Sequence, residues 1–81
     1  MKVDYNTPRV VGALRAAPES VRKAFFKQVR FLAEDLRHPS LRAKKYDEAN
    51  DIWQARINRD WRFYFIIEGG TYLVLDVIPH P

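Results

Sequence analysis

Two arginines and a tyrosine on neighbouring predicted strands are the residues whose types and spacing best fit chemistry at a phosphate group. Arg56 lies in the alternating segment 51–58, and Arg62 and Tyr64 lie in the aromatic-rich segment 61–68. A guanidinium group forks onto phosphate oxygens and stays charged at neutral pH. A tyrosine among arginines can stack on an unpaired base or donate to phosphate. The pattern therefore favours a phosphate-bearing ligand, with nucleic acid as the commonest kind.

A second interpretation of these arginines is structural. They fit a solvated sheet face on which they pair with nearby carboxylates, namely Asp51, Asp60 and Glu68. Against this, apolar residues share the predicted face: Ile66, Leu73 and Leu75. An apolar patch ringed by arginines favours a surface that something covers.

Other polar residues are candidates for the same surface. Lys44, Lys45 and Arg59 can approach its rim, although a solvated loop also explains the two lysines, and Gln54 falls beside Arg62. His80, near the end of the chain, carries the only side chain there that titrates near neutrality. By strand parity Asp76 falls on the apolar face, where it is expected to pair with a helix Arg or Lys and not to act as a catalytic base.

The strands that position these residues are predicted from a two-residue hairpin loop, Gly69-Gly70. A regular register places Ile67 opposite Tyr72, Phe65 opposite Val74, Phe63 opposite Asp76 and Trp61 opposite Ile78. The face toward the helices then holds Trp61, Phe63, Phe65, Ile67, Val74 and Ile78. The other face holds Arg62, Tyr64, Ile66, Leu73, Leu75 and Val77. In the preceding strand Trp53, Ala55 and Ile57 face the helices, which leaves Gln54, Arg56 and Asn58 beside Arg62.

Two helices precede these strands. Residues 2–6 alternate as a short strand, and Thr7-Pro8 is typical of a helix N-cap and first turn. The apolar spacing from Pro18 to Leu36 predicts a longer helix that ends at His38-Pro39, and residues 40–50 are expected to be irregular. The prediction is an α+β fold in one domain, 1–81: an N-terminal strand, a helical hairpin, and a three-stranded antiparallel meander with helices on one sheet face.

Composition narrows the function classes. The chain of 81 residues has a net charge of +4, which favours anionic partners. It has no cysteine, and His38 and His80 lack metal-ligand spacing, so neither a disulfide, a metal nor a cofactor is expected. No apolar run approaches the roughly 20 residues that span a bilayer, and no signal peptide is recognisable. A cytoplasmic location without membrane contact is the expectation.

The order of elements resembles that of the RelE/ParE superfamily of bacterial toxins over essentially the whole chain. The most specific part is a basic strand, a short turn and an aromatic-Arg strand, "WQARINRDWRFYF", before a strand that ends near His80. For the RelE branch this implies a microbial RNase-like fold and metal-independent cleavage of mRNA in the ribosomal A site. The 2′-hydroxyl would attack the adjacent phosphate, with Arg56 and Arg62 stabilising charge and His80 as general acid or base. Contacts to RNA would come from Lys44, Lys45, Gln54, Arg59 and Tyr64, with Gln54 standing where some relatives have lysine.

The same resemblance leaves two other functions open. In the ParE branch the fold poisons DNA gyrase without a nuclease site, and a degenerate member would only bind its antitoxin. All three readings imply a cognate antitoxin protein that wraps the toxin with a partly disordered segment. Codon preference, the antitoxin's identity and the oligomeric state do not follow from the sequence.

Overall fold

The computed structural model describes residues 1–81, with five strands, two α-helices and one short 3₁₀ helix at Pro39–Leu41. The strands are β1 (Lys2–Asp4), β2 (Lys44–Asp47), β3 (Ile52–Asn58), β4 (Trp61–Glu68) and β5 (Thr71–Pro79), and the helices are α1 (Pro8–Ala16) and α2 (Glu19–Glu34). The strands form one sheet in the order β1-β5-β4-β3-β2. The N-terminal strand pairs in parallel with β5, and every other neighbour is antiparallel. The predicted α+β class is confirmed.

Strand β2 corrects the expectation that residues 40–50 are irregular. It is an edge strand, and in it exposed Lys44 and Tyr46 alternate with half-buried Lys45 and Asp47. Because an edge strand is held largely by backbone hydrogen bonds to one neighbour, it can form without the apolar face that makes a central strand recognisable. Lysine on such an edge also discourages pairing with another chain.

The helices begin as predicted, and the second ends early. The hydroxyl of Thr7 accepts a hydrogen bond from the backbone N–H of Val10 at 3.3 Å, with Pro8 in the first turn of α1. Helix α2 ends at Glu34 and not at His38, because Asp35 is extended and its carboxylate accepts from the N–H of Arg37 at 2.8 Å. Such a side-chain bond to nearby backbone competes with continuation of the helix.

The core lies between the helices and one face of the sheet, where α1 packs on β5 and α2 on β3. Phe25 of α2 and Phe63 of β4 are fully buried and meet edge to face, with ring centroids 5.4 Å apart. Trp61 is half-buried against this core, as predicted, whereas Ile67 is 43% exposed beside the hairpin loop. The face opposite the helices is called the open face below.

A bulge in β5 corrects the predicted hairpin register. Ile67 opposes Tyr72 and Phe65 opposes Val74 as expected, but Tyr64 opposes Asp76, so Leu75 is an extra residue without a partner. Beyond it Phe63 opposes Val77 and Trp61 opposes Pro79. Two face assignments are therefore wrong: Val77 is buried in the core and Ile78 is exposed.

Asp76 also moves off the apolar face, because the bulge aligns it with Tyr64. Its Oδ2 accepts a hydrogen bond from Arg9 Nη1 at 3.1 Å, and its Oδ1 accepts one from the N–H of Val77 at 2.9 Å. The expected pairing of Asp76 with a helix arginine is confirmed, since Arg9 belongs to α1.

Gln28 is a buried polar residue that joins α2 to the strands. Its amide nitrogen donates to the carbonyl oxygens of Ser40 at 3.0 Å and Arg56 at 2.8 Å, and its Oε1 accepts from the Ser40 hydroxyl at 2.7 Å. No buried side-chain nitrogen or oxygen in the molecule lacks a partner. The helix therefore fixes the backbone on which Arg56 stands.

Candidate functional site

A cleft of about 200 Å³ on the open face brings together most of the residues singled out from the sequence. It is lined by Arg42, Lys44, Gln54, Arg56, Arg62 and His80. Four of these side chains carry a fixed positive charge, one is an amide and one is an imidazole. This set is called the basic cleft.

Strand pairing explains why these side chains meet. Arg56 lies directly opposite Arg62 across β3 and β4, and Lys44 lies opposite Gln54 across β2 and β3. Directly opposed residues of antiparallel strands have Cβ atoms about 4.5–5.5 Å apart on one face. Like charges placed in this way destabilise a sheet. The repulsion between Arg56 and Arg62 therefore lowers the stability of the fold. Residues that destabilise a fold in this way are typical of binding sites.

No carboxylate lines the basic cleft. The molecule has four ion pairs, formed by Arg9, Lys23 and Lys45, and none includes a cation of the cleft. The structural alternative, in which Arg56 and Arg62 pair with Asp51, Asp60 or Glu68, is thus not what the structure contains. Converging cations without counter-ions set up a positive potential that attracts a bound anion.

Arg62 is held by the turn between β3 and β4. Its Nη1 donates to the carbonyl oxygens of Asn58 at 2.7 Å, Trp61 at 2.9 Å and Arg59 at 3.4 Å. The side chain of Arg62 is half-buried and closes the turn. These bonds orient the guanidinium and leave Nε and Nη2 without protein partners.

We therefore expect Arg62→Ala to lower the free energy of unfolding by about 1–2 kcal/mol, since a charged donor to backbone carbonyls is lost. Urea denaturation followed by tryptophan fluorescence measures this change. Arg59→Ala, an exposed neighbour in the same turn, is the matched control and should change stability by no more than about 0.5 kcal/mol. Equal stability of wild type and Arg62→Ala would show that the turn does not need these bonds.

His80 reaches the cleft through the backbone at the end of β5. Its N–H donates to the carbonyl oxygen of Asp60 at 2.6 Å, which ties the last residues to the β3–β4 turn. The side chain is exposed and lines the cleft beside Arg56 and Arg62. All three residues predicted to carry chemistry are therefore neighbours.

Arg42 was not among the predicted site residues. It follows the 3₁₀ helix in a left-handed conformation, with φ of 47°, and its N–H bonds the carbonyl of Pro39. This turn brings its side chain to the basic cleft ahead of β2. Arg42, Lys44 and Lys45 form a basic segment in the sequence. Which of their side chains lie on the open face could not be predicted, because the left-handed turn at Arg42 was not recognised.

Lys45 lies outside the basic cleft. Its ammonium group pairs with Asp51 at 2.9 Å and Glu48 at 3.8 Å and sits 5.2 Å from the centre of the Trp53 ring. The hydrogen bond to Asp51, together with the nearby carboxylate charges, raises the pKa of Lys45. This lysine is accounted for by its own neighbours.

Arg59 and Tyr64 border the cleft without lining it. Arg59 lines an adjoining groove of about 470 Å³ that shares Arg42 and Arg56 with the basic cleft. The hydroxyl of Tyr64 accepts a hydrogen bond from Gln54 Nε2 at 2.8 Å, so it lies immediately beside the cleft.

The molecule contains no group of three or more His, Cys, Asp or Glu side chains able to hold a metal ion. None of its helices is both long and apolar enough to cross a membrane.

The fold of this chain, with two helices on one face of the sheet, is similar to that of two solved structures. The "YoeB/ParE toxin from Agrobacterium tumefaciens" superposes with a TM-score of 0.75 at 12% identity, covering 100% of both chains. A chain of the "archaeal RelE-RelB complex from Pyrococcus horikoshii OT3" gives a TM-score of 0.70 at 19% identity, over 96% of this chain and 90% of that one. No protein-family model and no curated protein sequence matches. The resemblance expected from the sequence is confirmed for the fold.

Proposed function

We propose that this protein is a toxin that cleaves mRNA on the ribosome and is neutralised by a partner protein. The observation that carries the proposal is the basic cleft, in which Arg56, Arg62 and His80 meet without any carboxylate. Its charge fits a phosphodiester, and an imidazole beside a phosphate site is suited to proton transfer. A gyrase poison needs neither feature, so the nuclease is favoured.

The chemistry needs no group beyond these side chains, the RNA and water. The ribose 2′-oxygen forms a bond to the adjacent phosphorus, the bond from phosphorus to the 5′-oxygen breaks, and the products are a 2′,3′-cyclic phosphate and a 5′-hydroxyl. One proton leaves the 2′-hydroxyl and one is delivered to the 5′-oxygen. His80 serves one of these transfers and a water molecule the other, and the two guanidinium groups stabilise the charge that builds on the phosphoryl oxygens. Lys44 and Arg42 bind the flanking backbone.

The partner protein is proposed on two grounds. One of the two similar solved structures is that of a RelE-RelB complex. In this chain the unpaired cations of the basic cleft offer a positive surface that an acidic or amphipathic segment can cover. A segment that orders on binding can wrap such a surface and occlude the cleft.

Binding to single-stranded RNA is expected to weaken steeply with salt. If the four cations of the cleft each neutralise one phosphate, the slope of log K against log salt is about −3, from roughly −0.7 per contact. Arg56→Ala should reduce its magnitude by about 0.7. Fluorescence anisotropy with a labelled oligonucleotide between 50 and 200 mM salt measures both slopes, and at a slope near −3 wild-type binding should weaken about fiftyfold over this range. A slope near zero would contradict phosphate binding in the cleft.

The function itself is tested by inducing the wild type and Arg56→Ala in growing bacteria and mapping mRNA 5′ ends by primer extension. New ends inside translated codons, absent in the variant, support the nuclease. Growth arrest with intact message and damaged or relaxed DNA would replace it with the gyrase poison. No arrest would leave a module that only binds its partner.

A further inference from the structure

A second depression on the open face lies beside the basic cleft and has a different chemistry. It measures about 240 Å³ and is lined by Tyr46, Ile52, Tyr64, Leu75, Asp76 and Ile78. Five of these six residues are apolar or aromatic, and the sixth is a carboxylate. This set is called the aromatic cup.

The aromatic cup and the basic cleft adjoin on the same strands. Gln54 of the cleft lies opposite Tyr64 of the cup, and Arg62 of the cleft lies opposite Ile78 of the cup. Along β4, Tyr64 follows Arg62 by two residues, which span about 6.6 Å on one face. A single nucleotide can therefore reach from one depression into the other.

The cup presents aromatic surface to solvent. Tyr46 is 62% exposed and meets Tyr64 edge to face, with centroids 4.9 Å apart. Leu75 and Ile78 add exposed apolar surface at 36% and 38%. Leu75 stands there because the bulge leaves it unpaired. Rings beside a phosphate-binding groove are the usual platform on which an unpaired base stacks.

Asp76 gives the cup a direction-specific polar contact. Arg9 and the N–H of Val77 each donate to one of its oxygens, which holds the carboxylate in place. An ionised carboxylate has about four acceptor positions, so two remain for a ligand. It can accept from the amino group of a base, as Asp does from N4 of cytosine. Uracil offers only its N3–H, which lies between the O2 and O4 acceptors that repel a carboxylate.

We propose that the aromatic cup is a base-binding subsite that prefers an amino-bearing base, adenine, cytosine or guanine, over uracil. The inference rests on the proposed function, because the basic cleft must hold the phosphate of the same nucleotide. The exposed ring of Tyr46 stacks on the base, Tyr64 contacts it at an angle, and Asp76 selects its edge.

The test is equilibrium binding of 2′-O-methylated hexanucleotides of adenosine, cytidine or uridine, which lack the attacking hydroxyl, measured at low salt. The wild type should bind the adenosine and cytidine chains about tenfold more tightly than the uridine chain. Tyr46→Ala should weaken binding of all three by about tenfold, since one stacking contact is lost. Asp76→Asn, whose amide can donate to O4 of uracil, should abolish or reverse the preference. Phe26→Ala, at a 43% exposed aromatic on α2, is the matched control and should change nothing.

The outcomes separate this inference from the proposed function. One outcome overturns the base-binding inference and leaves the proposed nuclease intact. In it, binding depends on salt and is weakened by Arg56→Ala, but it is equal for the three oligonucleotides and unchanged by Tyr46→Ala and Asp76→Asn. Self-association of the wild type that Tyr46→Ala abolishes, with no change in base preference, makes the cup an interface between copies and also overturns the inference. No binding of any chain at low salt overturns both.

Discussion

Arg56→Ala is expected to slow RNA cleavage by on the order of 10²–10³-fold, the usual cost of removing one preorganised electrostatic donor at a phosphoryl or acyl centre. The side chain of Arg56 makes no hydrogen bond or ion pair within the protein, and only its carbonyl is held, by Gln28. Its loss should therefore change the free energy of unfolding by no more than about 0.5 kcal/mol. Single-turnover cleavage of a translated message on ribosomes measures the rate, and urea denaturation the stability.

Two variants sharpen this experiment. Arg30→Ala removes an exposed, unpaired arginine on α2 and should leave the rate unchanged. Arg56→Lys keeps the charge but not the planar fork, so its rate should lie between those of the wild type and Arg56→Ala. A full wild-type rate in Arg56→Ala would remove Arg56 from the chemistry, and a folding defect would show that the residue is structural.

Phe63→Ala is expected to lower the free energy of unfolding by about 3–5 kcal/mol, because a fully buried ring is replaced by a cavity. Phe63 meets both Phe25 and Phe65, with centroids 5.4 and 5.7 Å away, so neither neighbour can fill the space without moving. A chain of 81 residues has a total stability of about 4–12 kcal/mol at roughly 0.05–0.15 kcal/mol per residue. If the wild type lies at the low end of this range, the variant should be close to unfolding at 25 °C.

The matched control is Phe26→Ala, which removes a ring of the same size from a 43% exposed position on α2. It touches Tyr5 and Phe25 only at the edge of the core and should cost no more than about 1 kcal/mol. Urea midpoints of the two variants, compared at equal slope, measure the difference. Equal losses would mean that the core does not lie between α2 and β4.

The regular elements followed from the sequence because their signals are local. The Thr7-Pro8 start of α1, the apolar stripe of α2 and the Gly69-Gly70 hairpin each depend on residues within a few positions. Both hairpin glycines have positive φ, 56° and 76°, which is what a tight two-residue loop requires. Strand β2 was missed because its partner, β3, and not its own pattern, makes it a strand.

The candidate site was predicted in part. Gln54, Arg56 and Arg62 could be placed on one face because strand parity is reliable within a short regular ladder. Arg42 and Lys45 were misjudged because their directions depend on a left-handed turn and on an irregular pairing at Lys45–Asp47. The aromatic cup could not be predicted, because Ile78 and Asp76 lie on the open face only when the bulge shifts the strand register by one residue.

Without the bulge at Leu75, the residues of β5 that follow it would pair one position out of their observed register. In the unbulged alignment Asp76 would lie opposite Phe63 in the apolar core, Val77 would face solvent, and His80 would turn toward the helices and away from Arg56 and Arg62. Burying an unpaired carboxylate costs several kcal/mol, so Asp76 excludes that alignment. An apolar residue at position 76 would reduce the free-energy difference between the two alignments, so that both would be populated. The Asp76 carboxylate, which we place in the aromatic cup, thus also stabilises the strand register that brings the His80 imidazole to the basic cleft. Selection for either role would preserve the other.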